Sequence, residues 1–173
     1  MVVLVSRTGR HLQRYNKDRR LVVGCIPYRY KDGKDWAVDD EFEVLVISSQ
    51  NGQGMLFPKG GWELDESAKE AASRETLEEA GVLGNVEREL GRWRFKSKSQ
   101  EIFHECYMFP LLVTEQLDLW PEKNVRKREW MTVSEARKVC KYWWMKEALD
   151  KLVERLMPPS LDDNEDVSLH SVS

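Results

Sequence analysis

Three glutamates, Glu75, Glu78 and Glu79, stand three and four residues apart within the stretch "SRETLEEAG". On a helix such positions share one face, where like charges repel unless the face is solvated or a cation sits on it. The cation that suits clustered carboxylates is a hard divalent ion. Mg²⁺ in particular is held by a few carboxylates together with water and substrate phosphates, so the cluster fits Mg²⁺ better than zinc. Arg74, next in sequence to this face, is placed to pair with one carboxylate and fix its rotamer. A glutamate-rich, glycine-capped helix is also a common solvated surface, and the triplet alone does not separate the two.

The wider pattern does. Gly60, five residues, Glu66, seven residues, Arg74-Glu75, two residues, Glu78-Glu79, one residue and Gly81 make an array of seven specified positions. At average residue usage a chance match is on the order of 10⁻⁸ per starting point. This array, together with Val82, resembles the Nudix box, the signature of hydrolases that cleave nucleoside diphosphates linked to another moiety and related pyrophosphates. Thr76 stands where the box prefers a bulky aliphatic, a mild departure for a β-branched residue that packs a helix face acceptably.

The resemblance implies Glu75, Glu78 and Glu79 as metal ligands, Glu66 as a secondary acidic partner, and a carbonyl of Gly60 near the metal. Mg²⁺ is the implied cofactor, with Mn²⁺ as a substitute. It also implies an α+β fold, an α/β/α sandwich of a mixed β-sheet with a central loop and helix, over residues 1–157. The chemistry would be attack of water on a phosphoanhydride phosphorus, with the metal lowering the pKa of the water and stabilising the leaving phosphate. A carboxylate must take a proton. Glu75 and Glu79 are the candidates within the box, with the duty centred on Glu75, and Glu101 or Glu105 stand as candidates beyond it.

Likeness outside the box bears on the substrate. The basic lead "SRTGRHLQRYNKDRRLVVGCIPYR", the "VISSQ" ahead of "FPKGGWE" and the later "NVRKREWMTVSEA" resemble the diphosphoinositol polyphosphate phosphohydrolase branch of the family, above all its plant members, from about Val5 to Leu156. Lys59 departs from the glycine of animal members, and Gln50-Asn51 replaces a stretch that carries Ser and Arg in them. An inositol pyrophosphate is small and densely anionic, so its pocket needs several convergent cations. Arg10, Arg14, Lys17, Arg19 and Arg20 from the front, Lys59 beside Gly60 and Gly61, and Arg126, Lys127 and Arg128 could supply them, with Ser48 and Ser49 as hydroxyl donors.

Diadenosine polyphosphates present similar anionic chains, and the tryptophans are candidates to stack an adenine, although aromatics at strand and helix spacing are more often core. An mRNA-cap hydrolase would carry a longer basic surface, and a front acting as an RNA-binding arm would show salt-dependent RNA affinity. A non-catalytic phosphate sensor would have no reason to keep the full set of acids. The expected partner is therefore a small anionic phosphate compound, with no nucleic acid and no membrane, and the expected state is a monomer.

The elements that would position these residues are legible in outline. "RLVVGCIPYRY" and "EFEVLVISSQ" predict β-branched strands joined by the polar loop "KDGKDWAVDDE". A helix is predicted over Ser67 to Ala80, closed by Gly81. Strands are predicted in "NVERELGRWRFKS", "IFHECYMFPLLVTE" and "KREWMTV", a capped helix in "TVSEARKVC" and an amphipathic one in "WWMKEALDKLVERL", stopped by Pro158-Pro159.

A chain of 173 residues, 41% hydrophobic, forms one domain with a core of its own. Its net charge of −3 conceals a basic front, where residues 1–31 carry eight Lys and Arg against one acid, and an acidic tail at 158–173 that is predicted to be disordered. Three separated cysteines without a C-x-x-C argue for reduced, buried thiols inside the cell. No stretch is long enough to span a membrane. The cytoplasm is the expected compartment; the Arg-rich, acid-poor front reads alternatively as a mitochondrial transit peptide, and the nucleus beside the cytosol is a third reading.

Overall fold

The structure, a computed structural model, describes residues 5–7, 9, 11–31, 41–50, 52–97 and 102–157. Arg10, Glu101, most of the predicted loop after Lys31 and the acidic tail lie outside the described residues.

The chain is organised around two long strands, β2 (Arg19–Tyr30) and β8 (Phe103–Gln116), which run parallel to one another. Eight consecutive residues of β2, Leu21 to Tyr28, are buried, the mark of a strand covered on both faces. β3 (Phe42–Ser48) pairs antiparallel with β2, as the two apolar runs predict, and β4 (Met55–Leu56) extends that edge. On the other side β6 (Val82–Val86) and β7 (Gly91–Lys96) both lie antiparallel on β8. β1 (Tyr15–Asn16) and β5 (Lys59–Gly61) pair with β2, and β9 (Arg128–Met131) pairs with β3. The resulting mixed sheet carries three helices, the α+β arrangement expected.

Helix α1 (Ala68–Ala80) begins at Ser67, whose hydroxyl accepts from the Glu70 amide while the Glu70 carboxylate accepts from the Ser67 amide. It ends at Gly81 with φ of 67°, a left-handed turn that glycine adopts without penalty. The same reciprocal cap, Thr132 with Glu135, starts α2 (Val133–Val139) and cuts β9 short of the predicted "KREWMTV". Helix α3 (Trp143–Leu156) matches its predicted span and buries Trp144, Met145, Ala148, Leu149 and Leu152.

The single strand expected in "NVERELGRWRFKS" is two. The chain jogs at residues 87–90, where the Glu87 and Leu90 amides donate to the Pro110 and Met108 carbonyls and let β6 and β7 follow β8 in series. Cys25, Cys106 and Cys140 are free thiols and all buried. No helix among the described residues is long and apolar enough to cross a membrane.

Candidate metal and phosphate site

Glu75, Glu78 and Glu79 do not form a solvated face. Their residues are 8%, 5% and 6% exposed, because α1 lays them against β5 and the segment between β8 and β9. Arg74 organises the group. Its Nε and Nη2 grip both oxygens of Glu66 at 3.0 and 2.7 Å, its Nη1 reaches Glu75 Oε1 and Glu78 Oε2 at 3.0 Å each, and Nη2 also donates to the Gly61 carbonyl at 2.9 Å. The planar fork of arginine meets all of these at once, which a lysine cannot do. Glu66 in turn accepts from the Glu63 amide, so the loop ahead of the helix is tied to the helix face.

Pairing of β5 with β2 sets Gly60 opposite Val23 and brings the glycine backbone onto the acids. A Cβ built on Gly60 would lie 2.1 Å from the Glu75 carboxyl carbon and Oε2. Only glycine lets the strand approach a carboxylate this closely. On the far side Glu79 accepts from the Lys59 amide at 3.0 Å and from Arg126 Nη2 at 3.3 Å. The segment carrying Arg126 is fastened to the helix: Trp120 Nε1 donates to the Glu79 carbonyl and the Glu122 amide to the Glu78 carbonyl. The front of the chain reaches the same acids, the Arg7 amide donating to Glu78 and the Ser6 hydroxyl to Glu122. Arg7 is itself paired with Glu63 and Asp65.

Burial makes these carboxylates hard to ionise. It pushes Glu75 up to about 7, with Arg74 opposing and Glu78 and Glu122 adding to the rise, and Glu79 up to about 8, with Arg126 opposing. Glu78 is raised for the same first cause. Among the described residues no three His, Cys, Asp or Glu side chains close on one point as a finished coordination shell. Arg74 and Arg126 pair with the acids. The donor set nevertheless fits a hard divalent ion: it is all oxygen, it is buried with its charge only partly balanced, and the missing side chain at Gly60 brings backbone close to the Glu75 carboxylate.

The predicted cations divide. Arg126 and Lys127 lie at the site: Arg126 also donates to the Ser48 carbonyl, and Ser48 Oγ accepts from the Lys127 amide. Together with Asp118, Trp120, Lys123 and Arg128 they line an open cavity of about 670 Å³. Lys59 sits on β5 with its Nζ 5.6 Å from the Tyr142 ring centre. Arg128 is committed to structure, donating to the Ala80, Gly81 and Leu117 carbonyls while its guanidinium lies 3.9 Å over Trp120. Arg14 donates to the Glu63, Leu64 and Glu66 carbonyls, and Arg20 to Gln13.

Arg19 joins Arg94 and the more distant Arg92 around the buried Glu105. Lys17, at φ 58°, makes the turn between β1 and β2. Ser49 is buried and its amide donates to the Gly54 carbonyl. The residue that the sequence reading missed is Glu122. Only its place two residues after Trp120, ahead of a basic run, marks it in the sequence, and its arrival at the acids is a long-range event.

Comparison with known proteins gives the family and the fold. The family model described as "NUDIX domain" matches residues 18–156. "Nudix hydrolase 17, mitochondrial" of Arabidopsis thaliana is 64% identical, covering 98% of this chain and 93% of its own. A human diphosphoinositol polyphosphate phosphohydrolase is 39% identical, covering 73% of this chain and 75% of its own. Among solved structures, a NUDIX hydrolase from Nitrosomonas europaea superposes with a TM-score of 0.63 at 18% identity, covering 78% of this chain and 88% of that one. The C. elegans Ap4A hydrolase gives 0.60 at 21%, covering 79% and 97%; both are likenesses of fold.

Proposed function

Since the chain belongs to the Nudix hydrolase family, whose members generally use divalent metal ions to act on small phosphorylated compounds, we propose that it is a Mg²⁺-dependent phosphoanhydride hydrolase acting on diphosphoinositol polyphosphates. The observation that carries the substrate reading is the cavity beside Glu79, where Lys123, Arg126, Lys127 and Arg128 stand against the single acid Asp118. A densely phosphorylated ring meets such a wall well, since each phosphate takes charge-assisted hydrogen bonds. The name of the human relative supports the same choice. An adenine would need a free aromatic face, and the guanidinium of Arg128 lies over one face of the Trp120 ring.

In this reading Glu75, Glu78 and Glu79 hold the ion, with the Gly60 carbonyl beside them, and Mn²⁺ substitutes for Mg²⁺. When bound, the ion lowers the pKa of a water and neutralises phosphate oxygens. Glu75 takes the proton: Arg74 fixes its Oε1, while Oε2 lies against Gly60. Arg74 and Glu66 hold the set in place, and Arg126, Lys127 and Lys59 bind phosphate. The enzyme acts as a monomer.

The mitochondrial label of the Arabidopsis relative favours import over the cytoplasm for this chain. Because the fold itself uses Gln13, Arg14, Arg19 and Arg20, any removable leader must end ahead of them. Uptake by isolated mitochondria tests this.

The function is tested by incubating purified protein with Mg²⁺ and, in parallel, a diphosphoinositol polyphosphate or diadenosine hexaphosphate, beside a Glu79→Gln control. Faster phosphate release from the inositol compound, lost in the control, is expected. Faster cleavage of the dinucleotide would reassign the substrate, and tight binding of both without turnover would make the protein a sensor.

A further inference from the structure

Glu122 lies between β8 and β9, outside the array that the box resemblance covers. Its Oε1 accepts from Arg126 Nε at 2.8 Å and its Oε2 from the Ser6 hydroxyl at 3.1 Å, while its own amide donates to the Glu78 carbonyl at 3.0 Å. Arg126 gives its Nη2 to Glu79 Oε2 at 3.3 Å. The side chains of Arg126 and Glu122 are 9% and 15% exposed. One nearly buried guanidinium therefore bridges an acid of the helix and an acid of the neighbouring segment.

We propose that Glu122 is an additional carboxylate of the metal site, and that Arg126 is an internal cation that holds Glu79 and Glu122 until a divalent ion takes its place. The inference rests on the metal-dependent reading above. A buried acid and a largely covered one sharing one cation lose it at a cost unless it is replaced, because an unpaired charge away from water is destabilising. A divalent ion is such a replacement, and oxygen ligands are what it takes. The exchange frees a guanidinium in the wall of the cationic cavity, where its fork suits phosphate oxygens. Metal and substrate then bind in order, since the arginine that meets the phosphate is released by the metal. A Glu122 that merely fastened the segment through its i,i+4 pair with Arg126 would affect stability and leave metal affinity alone.

The experiment titrates Mn²⁺ into the full chain by calorimetry and by its electron paramagnetic resonance signal, with thermal unfolding alongside. Glu122→Gln is expected to weaken Mn²⁺ binding about tenfold or more, while exposed Glu129→Gln leaves it unchanged. Arg126→Ala is expected to tighten Mn²⁺ binding and to raise KM for the phosphate substrate. Glu122→Asp, which keeps the charge, should show a smaller loss of affinity and covers the case in which Glu122→Gln fails to fold. Wild-type Mn²⁺ affinity in both Glu122 variants, or weaker binding in Arg126→Ala, overturns the proposal while leaving the hydrolase reading standing. A wild-type protein that binds no Mn²⁺ and turns over nothing overturns both.

Discussion

Gly60 and Arg74 show how a cluster of like charges is made tolerable in a folded chain. Arg74 neutralises three carboxylates through one planar group, and Gly60 gives up a side chain so that Glu75 can lie against backbone. Replacement of Gly60 by alanine puts a methyl group into the Glu75 carboxylate. Overpacking of this kind costs about 1–3 kcal/mol, and a shift of the reacting groups by about 1 Å costs about a hundredfold in rate. Gly60→Ala should therefore lower kcat by about two orders of magnitude while the protein still unfolds cooperatively, as read from phosphate release and a urea titration; near wild-type turnover would refute the role given to the cradle. The box acids were legible because their spacing is local and helical. Glu122 was not, because only the folded chain brings it to Glu78 and Glu79. The basic residues were legible as cations but not as partners: Arg14, Arg20 and Arg128 are occupied by carbonyls and a side-chain amide, which no composition reveals.

Helix α1 is held at both ends and along its back. Ser67 caps its start, Gly81 turns its end, and the segment after β8 clamps its last turn through Trp120, Glu122 and Arg128. Trp120→Ala removes the indole hydrogen bond, worth about 1 kcal/mol, and the contact with the Arg128 guanidinium, worth about 0.5–2 kcal/mol. The same change loosens the segment that carries Arg126, so it should reduce both the unfolding midpoint and kcat/KM, whereas Trp143→Ala, on the exposed side of α3, should leave kcat/KM unchanged. Equal loss in the two variants would mean that the clamp is not specific to the site. Helix α1 could be read from its composition and the glycine that closes it, and α3 from apolar periodicity, over thirteen and fourteen residues. Strands β1, β4 and β5 have two or three residues each, too few for any period, and they exist because β2 and β3 offer them edges.

At the scale of the whole molecule, the buried acids tie folding to pH. A carboxyl whose folded pKa lies above its ordinary value of 4.5 binds protons better folded than unfolded, so its contribution is complete below about 4.5 and is lost as pH rises through the folded value. With Glu75 at about 7 and Glu79 at about 8, the metal-free protein should lose stability steadily from about pH 5 to about pH 8. Urea midpoints in the presence of a chelator measure the slope. Mg²⁺ should restore stability, most of all at the alkaline end, since binding to the folded state alone adds to it. Stability of the chelated protein that rises over this range would contradict the assignment.

Ser6 and Arg7 touch Glu122 and Glu78 directly, so the front of the chain is fastened to the acidic cluster. An affinity tag fused at the amino terminus would thus be a reagent acting on the site, and kinetic constants measured with it would describe the tag as much as the enzyme. A difference in KM between protein tagged there and protein tagged after Ser173 would be a simple readout of how firmly the front of the chain sits on the acids.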